Sequence, residues 1–187
     1  MEIINNKNND VVFDLGNRIL GYLNKFEVSD SLGEIWVSNK PWTRELKTRL
    51  YEICTEMPSL KPPFQNLIAT SGMESPVNSE WLYDFTFYSM DGSNTTNIIL
   101  AAEIEWGLDF EDDILFDFEK LIQARSDYRL MIFQAANNNA IAEIFEKLKD
   151  SANRFKHSQN GDKYLLAGWS QQPNERKFKT CSYTLNK

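Results

Sequence analysis

A single-domain mixed α/β fold, one central sheet flanked by helices, is predicted by three features of the chain. Apolar stripes at helical spacing alternate with strand-like apolar runs. A strand, helix, strand order in the middle of the chain implies a right-handed parallel crossover. The length of 187 residues, with 42% apolar and 25% charged side chains, suits one sizeable core and is short for two.

The elements follow in order. Val11, Val12, Leu15, Ile19, Leu20 and Leu23 define a helix over 11–26, weakened by Gly16 and Gly21. Residues 27–40 read as irregular. A second helix starts at Pro41, a residue suited to a first turn, and carries the stripe Leu46, Leu50, Ile53 and Met57. Pro58 and the run Lys61-Pro62-Pro63 then break the chain. Residues 80–90 (EWLYDFTFYSM) alternate as an aromatic strand, and Asp91-Gly92-Ser93-Asn94 is a turn signal. Residues 97–106 (NIILAAEIEW) read as a strand buried on both faces. A helix is expected from Asp112 to Ser126, a strand from Tyr128 to Gln134 and a helix from Asn139 to Phe155. Two last strands, Tyr164–Ser170 and Lys177–Leu185, flank a polar loop. The domain therefore divides into an N-terminal helix with an irregular segment (1–40), a core (41–134), and a C-terminal helix with two strands (135–187).

Composition removes several chemistries. One histidine, His157, rules out a multi-histidine metal centre, and two cysteines, Cys54 and Cys181, are too few for a disulfide framework or a cysteine zinc site. Neither common glycine-rich phosphate cradle is present. The N-terminus lacks the pattern of a secretory signal, and no apolar run approaches the length of a membrane span, so a cytoplasmic protein without membrane contact is expected. Carboxylates dominate: 27 Asp and Glu against 20 Lys and Arg leave a net charge of −7. Any metal would thus be a hard, oxygen-seeking cation such as Mg²⁺ or Mn²⁺.

The acids of the two central strands carry the chemistry. Glu103 and Glu105 lie two residues apart in NIILAAEIEW and leave the same face, roughly 7 Å apart along the strand. An ionised carboxylate in such a strand is costly unless paired or metal-bound. Asp84 interrupts the neighbouring aromatic strand, where a hairpin would bring it towards both glutamates. Three converging carboxylates repel one another and are relieved by a divalent ion. The competing reading of each acid is a strand-end residue paired with Lys or Arg. Trp81, Tyr83, Phe85, Phe87 and Tyr88 offer base-stacking surfaces, although aromatics in a strand are more often core. Two basic runs, Lys40, Arg44, Lys47 and Arg49 in the second helix and Arg176, Lys177 and Lys179 near the last strand, are phosphate-binding candidates or solvated faces.

The order of an acid-bearing helix, an Asp-bearing strand (WLYDFTFY), a turn, a Glu-x-Glu strand (AAEIEWG), a helix (DFEKL) and a further strand resembles the PD-(D/E)xK nuclease superfamily. The match covers about 41–134. The resemblance implies a restriction-endonuclease-like core and Mg²⁺- or Mn²⁺-dependent hydrolysis of phosphodiesters, in DNA or less often RNA. Under it, Asp84 and Glu103 ligate the metal, and Glu45 corresponds to the helix acid that some members add. Glu45 also has a simpler reading as a partner of Arg49 one turn on. The family's usual lysine at the third position is replaced by Glu105, which would serve as ligand or base. Lys120, from the following helix, is the candidate substitute, although a helical wheel sets it opposite the stripe of Leu115, Phe118 and Ile122. Members that cut duplexes are often dimers, so a homodimer is a further expectation. The missing lysine and the acidic surface leave one alternative: a non-catalytic interaction protein on the same core, immunity-like, antitoxin-like or a DNA-binding accessory.

Overall fold

The computed structural model describes residues 7–26, 40–56, 67–70 and 82–187. Its elements are α1 (Lys7–Asn24), α2 (Lys40–Thr55), β1 (Leu67–Thr70), β2 (Phe85–Asp91), β3 (Asn94–Glu105), a π-helical turn (Phe110–Leu115), α3 (Phe116–Gln123), β4 (Ser126–Ala135), α4 (Asn138–Arg154), β5 (Lys163–Ser170), a 3₁₀ turn (Pro173–Glu175) and β6 (Phe178–Thr184). They form the predicted single α/β domain. One mixed sheet runs in the order β1-β2-β3-β4-β5-β6. β3, β4 and β5 are parallel, whereas β1/β2, β2/β3 and β5/β6 pair antiparallel. Among the described residues no helix is long and apolar enough to cross a membrane.

The strand period sorts side chains to two cores. Leu100, Ala102 and Ile104 of β3 face α1 and α2, joining Leu15, Ile19, Leu23, Trp42, Leu46 and Leu50. Ala101 faces the other way, towards α3 and α4, with Phe118, Leu121, Ile141 and Leu148. The parallel strands are covered on both sides, which explains their nearly unbroken apolar sequence. An aromatic cluster fastens the first layer: Trp169 of β5 lies 5.1 Å from Trp42 and 5.0 Å from Phe178, ring centre to ring centre. α4 starts cleanly because the Asn137 side chain accepts hydrogen bonds from Asn139 N and Ala140 N, both at 3.0 Å.

Several expectations are corrected. The aromatic strand begins at Phe85, and residues 82–84 form a bend, so Asp84 stands just before β2 rather than inside it. Phe85 and Phe87 are wholly buried in the first core, which is packing and not a stacking platform. The helix expected from Asp112 is preceded by a π-helical turn, because Asp109 O accepts from Ile114 N at 3.2 Å while Asp109 Oδ1 accepts from Asp112 N at 2.9 Å. β1 was not anticipated; at four residues it is too short to show a period. Trp81, the segment 27–39, Met57 and the Lys61-Pro62-Pro63 run lie outside the described residues.

Gly168 lets α4 approach the sheet closely, since a Cβ there would sit 2.5 Å from Ile141 Cγ2 and 3.1 Å from Phe133 Cε2. Gly168→Ala should therefore push helix and strand apart and destabilise the fold by about 1–3 kcal/mol, read as a lower urea midpoint at unchanged m-value.

Candidate functional site

Helices from both layers meet the sheet at the C-terminal end of β3, where open α/β sheets commonly place ligands. α2 is anchored there by Trp106, the residue after β3. The Trp106 indole donates to Thr43 Oγ1 at 2.8 Å, and its ring lies 6.0 Å from that of Trp42. Trp106 O in turn accepts from the Gln134 side chain of β4.

This anchoring delivers Lys47 to Asp84. Lys47 Nζ lies 2.9 Å from Asp84 Oδ1, and Asp84 Oδ2 accepts from Ile104 N at 2.9 Å. The acid before β2 is thus tied to the backbone of β3, between Glu103 and Glu105. Lys47 itself is only 5% exposed. Such burial of a lysine is rare without a paired anion.

Glu103 leaves β3 on the opposite face, under α3, and is 2% exposed. Lys120 Nζ lies 2.9 Å from Glu103 Oε1 and 2.8 Å from Asp117 Oδ1. Glu103 Oε1 is thus buried against the Lys120 ammonium. Burial pushes the Glu103 carboxyl up to about 8; Lys120 opposes this, and the charges of Asp84 and Asp117 add to it. Lys120 stays above its ordinary value: burial works against the charge, but Asp117 and Glu103 outweigh it.

Glu105 shares the face of Glu103. Its Oε1 accepts from Gly107 N, closing a tight turn after the strand. Burial raises the Glu105 carboxyl, Gly107 N restrains the rise, and neighbouring Asp117 adds to it through charge and a shared hydrogen bond. Asp113 presses on the same turn, lying so close to Gly107 that a Cβ there would collide with its carboxylate.

The expected constellation is therefore assembled in part. Glu103 and Glu105 share a face, Asp84 adjoins them through Ile104 N, and Lys120 reaches Glu103. The helical-wheel objection to Lys120 fails because its long stem flanks the buried stripe and carries the ammonium back to the sheet. Two corrections follow. Glu45 is not part of the site: its carboxylate accepts from Arg49 Nε at 3.1 Å, one turn along α2. With about 100° of turn per residue, Glu45 and Lys47 point in nearly opposite directions, and Lys47 is the one that faces inward. Nor do Asp84, Glu103 and Glu105 form a ready cation cage, since no three acidic, histidine or cysteine side chains among the described residues gather closely enough to hold a metal. Two of the three are instead paired with lysines, Asp84 with Lys47 and Glu103 with Lys120. The sequence reading missed Lys47, visible only as part of a basic run, and Asp117, whose signal was its i, i+3 spacing to Lys120.

Two hollows lie elsewhere, the larger between α3 and α4 and the smaller beyond the C-terminal end of α3. One of about 630 Å³ is lined by Phe110, Glu119, Lys147 and Arg154 among others, and one of about 230 Å³ by Arg125, Arg129, His157 and Asp162 among others. None of the acids above lines either. No family model, curated protein or solved structure matches this chain.

The raised Glu103 carboxyl links stability to pH. In the folded protein it keeps its proton up to a pH of about 8, against an ordinary value of 4.5. The stability this confers is complete below the lower value and drains away as pH rises to the upper one. Glu103→Gln, which imitates the neutral form, should gain on the wild type between about pH 5 and about pH 8.5 in urea unfolding. A constant difference across that interval would exclude a raised Glu103.

Proposed function

We propose that this chain is a divalent-metal-dependent nuclease of the PD-(D/E)xK type, hydrolysing phosphodiesters in nucleic acid, with DNA as the first substrate to test. The observation that carries this reading is the 2.9 Å approach of Lys120 to Glu103. It brings a lysine from the following helix to the strand acid, where the third motif position has Glu105 instead. The order of α2, Asp84, β3, α3 and a parallel β4 agrees with the resemblance.

The donor type, carboxylate oxygen, is the one Mg²⁺ or Mn²⁺ takes, although among the described residues the acids do not gather into a cation site, so an ion would have to draw them together. The oxygens of Asp84, Glu103 and Glu105 are hard ligands, and two of these acids are held by lysines that the ion would have to displace or sit beside. Asp84 and Glu103 would hold the ion, with Glu105 beside them. Bound there, it would lower the pKa of a coordinated water and stabilise charge growing on the phosphate. Lys120, held protonated by two carboxylates, positions and neutralises rather than accepting a proton. Glu105, beside Glu103 on the strand and hydrogen-bonded to Asp117, is the proton-acceptor candidate.

A second reading is favoured by the ion pairs themselves. Asp84 and Glu103 are each matched by a lysine, and with a net charge of −7 the chain would serve equally as a non-catalytic partner for a basic protein. Titration calorimetry separates the two, because a partner-binding protein needs no Mn²⁺.

Two variants test the nuclease. Glu103→Ala should lower Mn²⁺-dependent cleavage of a DNA substrate by at least about 100-fold while leaving the circular dichroism spectrum unchanged. Lys120→Met should cost a similar factor in kcat. Undiminished cleavage by the purified Glu103→Ala protein would refute the assignment.

A further inference from the structure

We infer that the smaller hollow is a binding site for a phosphate group, with Arg129 in its buried wall and Arg125 and His157 at its mouth. It does not depend on the nuclease reading, since none of the strand acids lines this hollow. Arg129 leaves β4 on the face that Met131 shares with α3 and α4, and it is only 4% exposed. Its Nη2 donates to Ala124 O at 2.7 Å and lies 3.2 Å from Asp162 Oδ1, while the guanidinium rests over the Tyr164 ring, 5.3 Å from its centre. Nε and Nη1 meet no hydrogen-bond partner among the described residues. The Nε proton and both Nη1 protons are therefore left without acceptors. A charged donor buried in that way is costly, and an anionic ligand in the hollow removes the cost.

Charge and shape point the same way. The charged lining of the hollow is Arg125, Arg129 and Asp162, a local positive excess in a chain whose net charge is −7. Asp162 does not answer the spare donors: its Oδ1 faces Nη2, and its Oδ2 accepts from Gln159 N at 2.9 Å. Arg125 and His157 are exposed, so the mouth is open to a ligand from solvent. Two guanidinium groups and an imidazole in one hollow favour phosphate over a carboxylate, because a tetrahedral dianion has oxygens for all of them. The space, about 230 Å³, takes such a group. Ile122, Gln123 and Phe155 also line the larger hollow of about 630 Å³, where whatever the phosphate is esterified to has room to lie.

His157 is the chain's one histidine, which makes the site directly visible. In proton NMR at fixed pH and ionic strength, inorganic phosphate and adenosine 5′-monophosphate should each shift the His157 ring resonances saturably. Tighter binding of the nucleotide would assign the site to a phosphate ester, and equal affinity to the free ion. Arg125→Gln, an exposed change, should weaken phosphate binding by about tenfold. Arg129→Lys keeps the charge beside Asp162 but gives up the spare guanidinium donors, and should weaken binding at least as much. Circular dichroism checks that both variants are folded; were the lysine variant to unfold, Arg125→Gln alone would decide. A merely structural Arg129 predicts no saturable shift with either ligand at millimolar concentrations. That result, a shift that Arg125→Gln leaves unchanged, or equally tight binding of acetate would each overturn the inference.

Discussion

A carboxyl group in the dry middle layer of a sheet must find compensation, and Glu103 is the residue around which the rest of this site is arranged. It is almost wholly buried, and its strand neighbours, Ala102 and Ile104, are apolar core residues. The protein answers in two ways. Burial keeps the proton on the carboxyl up to near-neutral pH, and an ammonium is carried in from α3. Asp117 then holds the other side of that ammonium. Each polar group at the end of β3 is in this sense a response to the one before it.

The sheet topology makes the responses geometrically possible. β2 runs antiparallel to β3, so the start of one lies beside the end of the other, and Asp84 meets the backbone between the two glutamates. Helices on both faces then approach the same strand end, α2 through the Trp42–Trp106 contact and α3 through the crossover to β4. A site fed from both layers can collect acids from strands and cations from helices without sacrificing the core. The cost is borne locally, in paired charges whose net contribution to stability is small when both partners are present and large and negative when one is removed.

Much of the architecture was legible because burial on one or two faces writes a period into the chain. The stripes of α4 (Ile141, Ile144, Phe145, Leu148) and the oily run of β3 are of this kind, and both took the form expected. The shared face of Glu103 and Glu105 was legible for the same reason, since alternation in a strand is fixed by its geometry. What periodicity could not supply was the identity of partners. Glu45 seemed the acid of α2 to watch because of its type, yet the wheel turns it towards Arg49 and gives the inward position to Lys47. Lys120 seemed misdirected because a wheel ignores the reach of a four-carbon stem.

Local patterning by itself thus determined the α/β class, the positions of most helices and strands, and the presence of costly acids in the central strands. Only the tertiary structure decided which charges answer them. Lys47 and Asp84 are 37 residues apart along the chain, and Lys120 and Glu103 come from different elements. Periodicity reports how each segment faces the core, whereas ion pairing depends on which segments the completed sheet brings together.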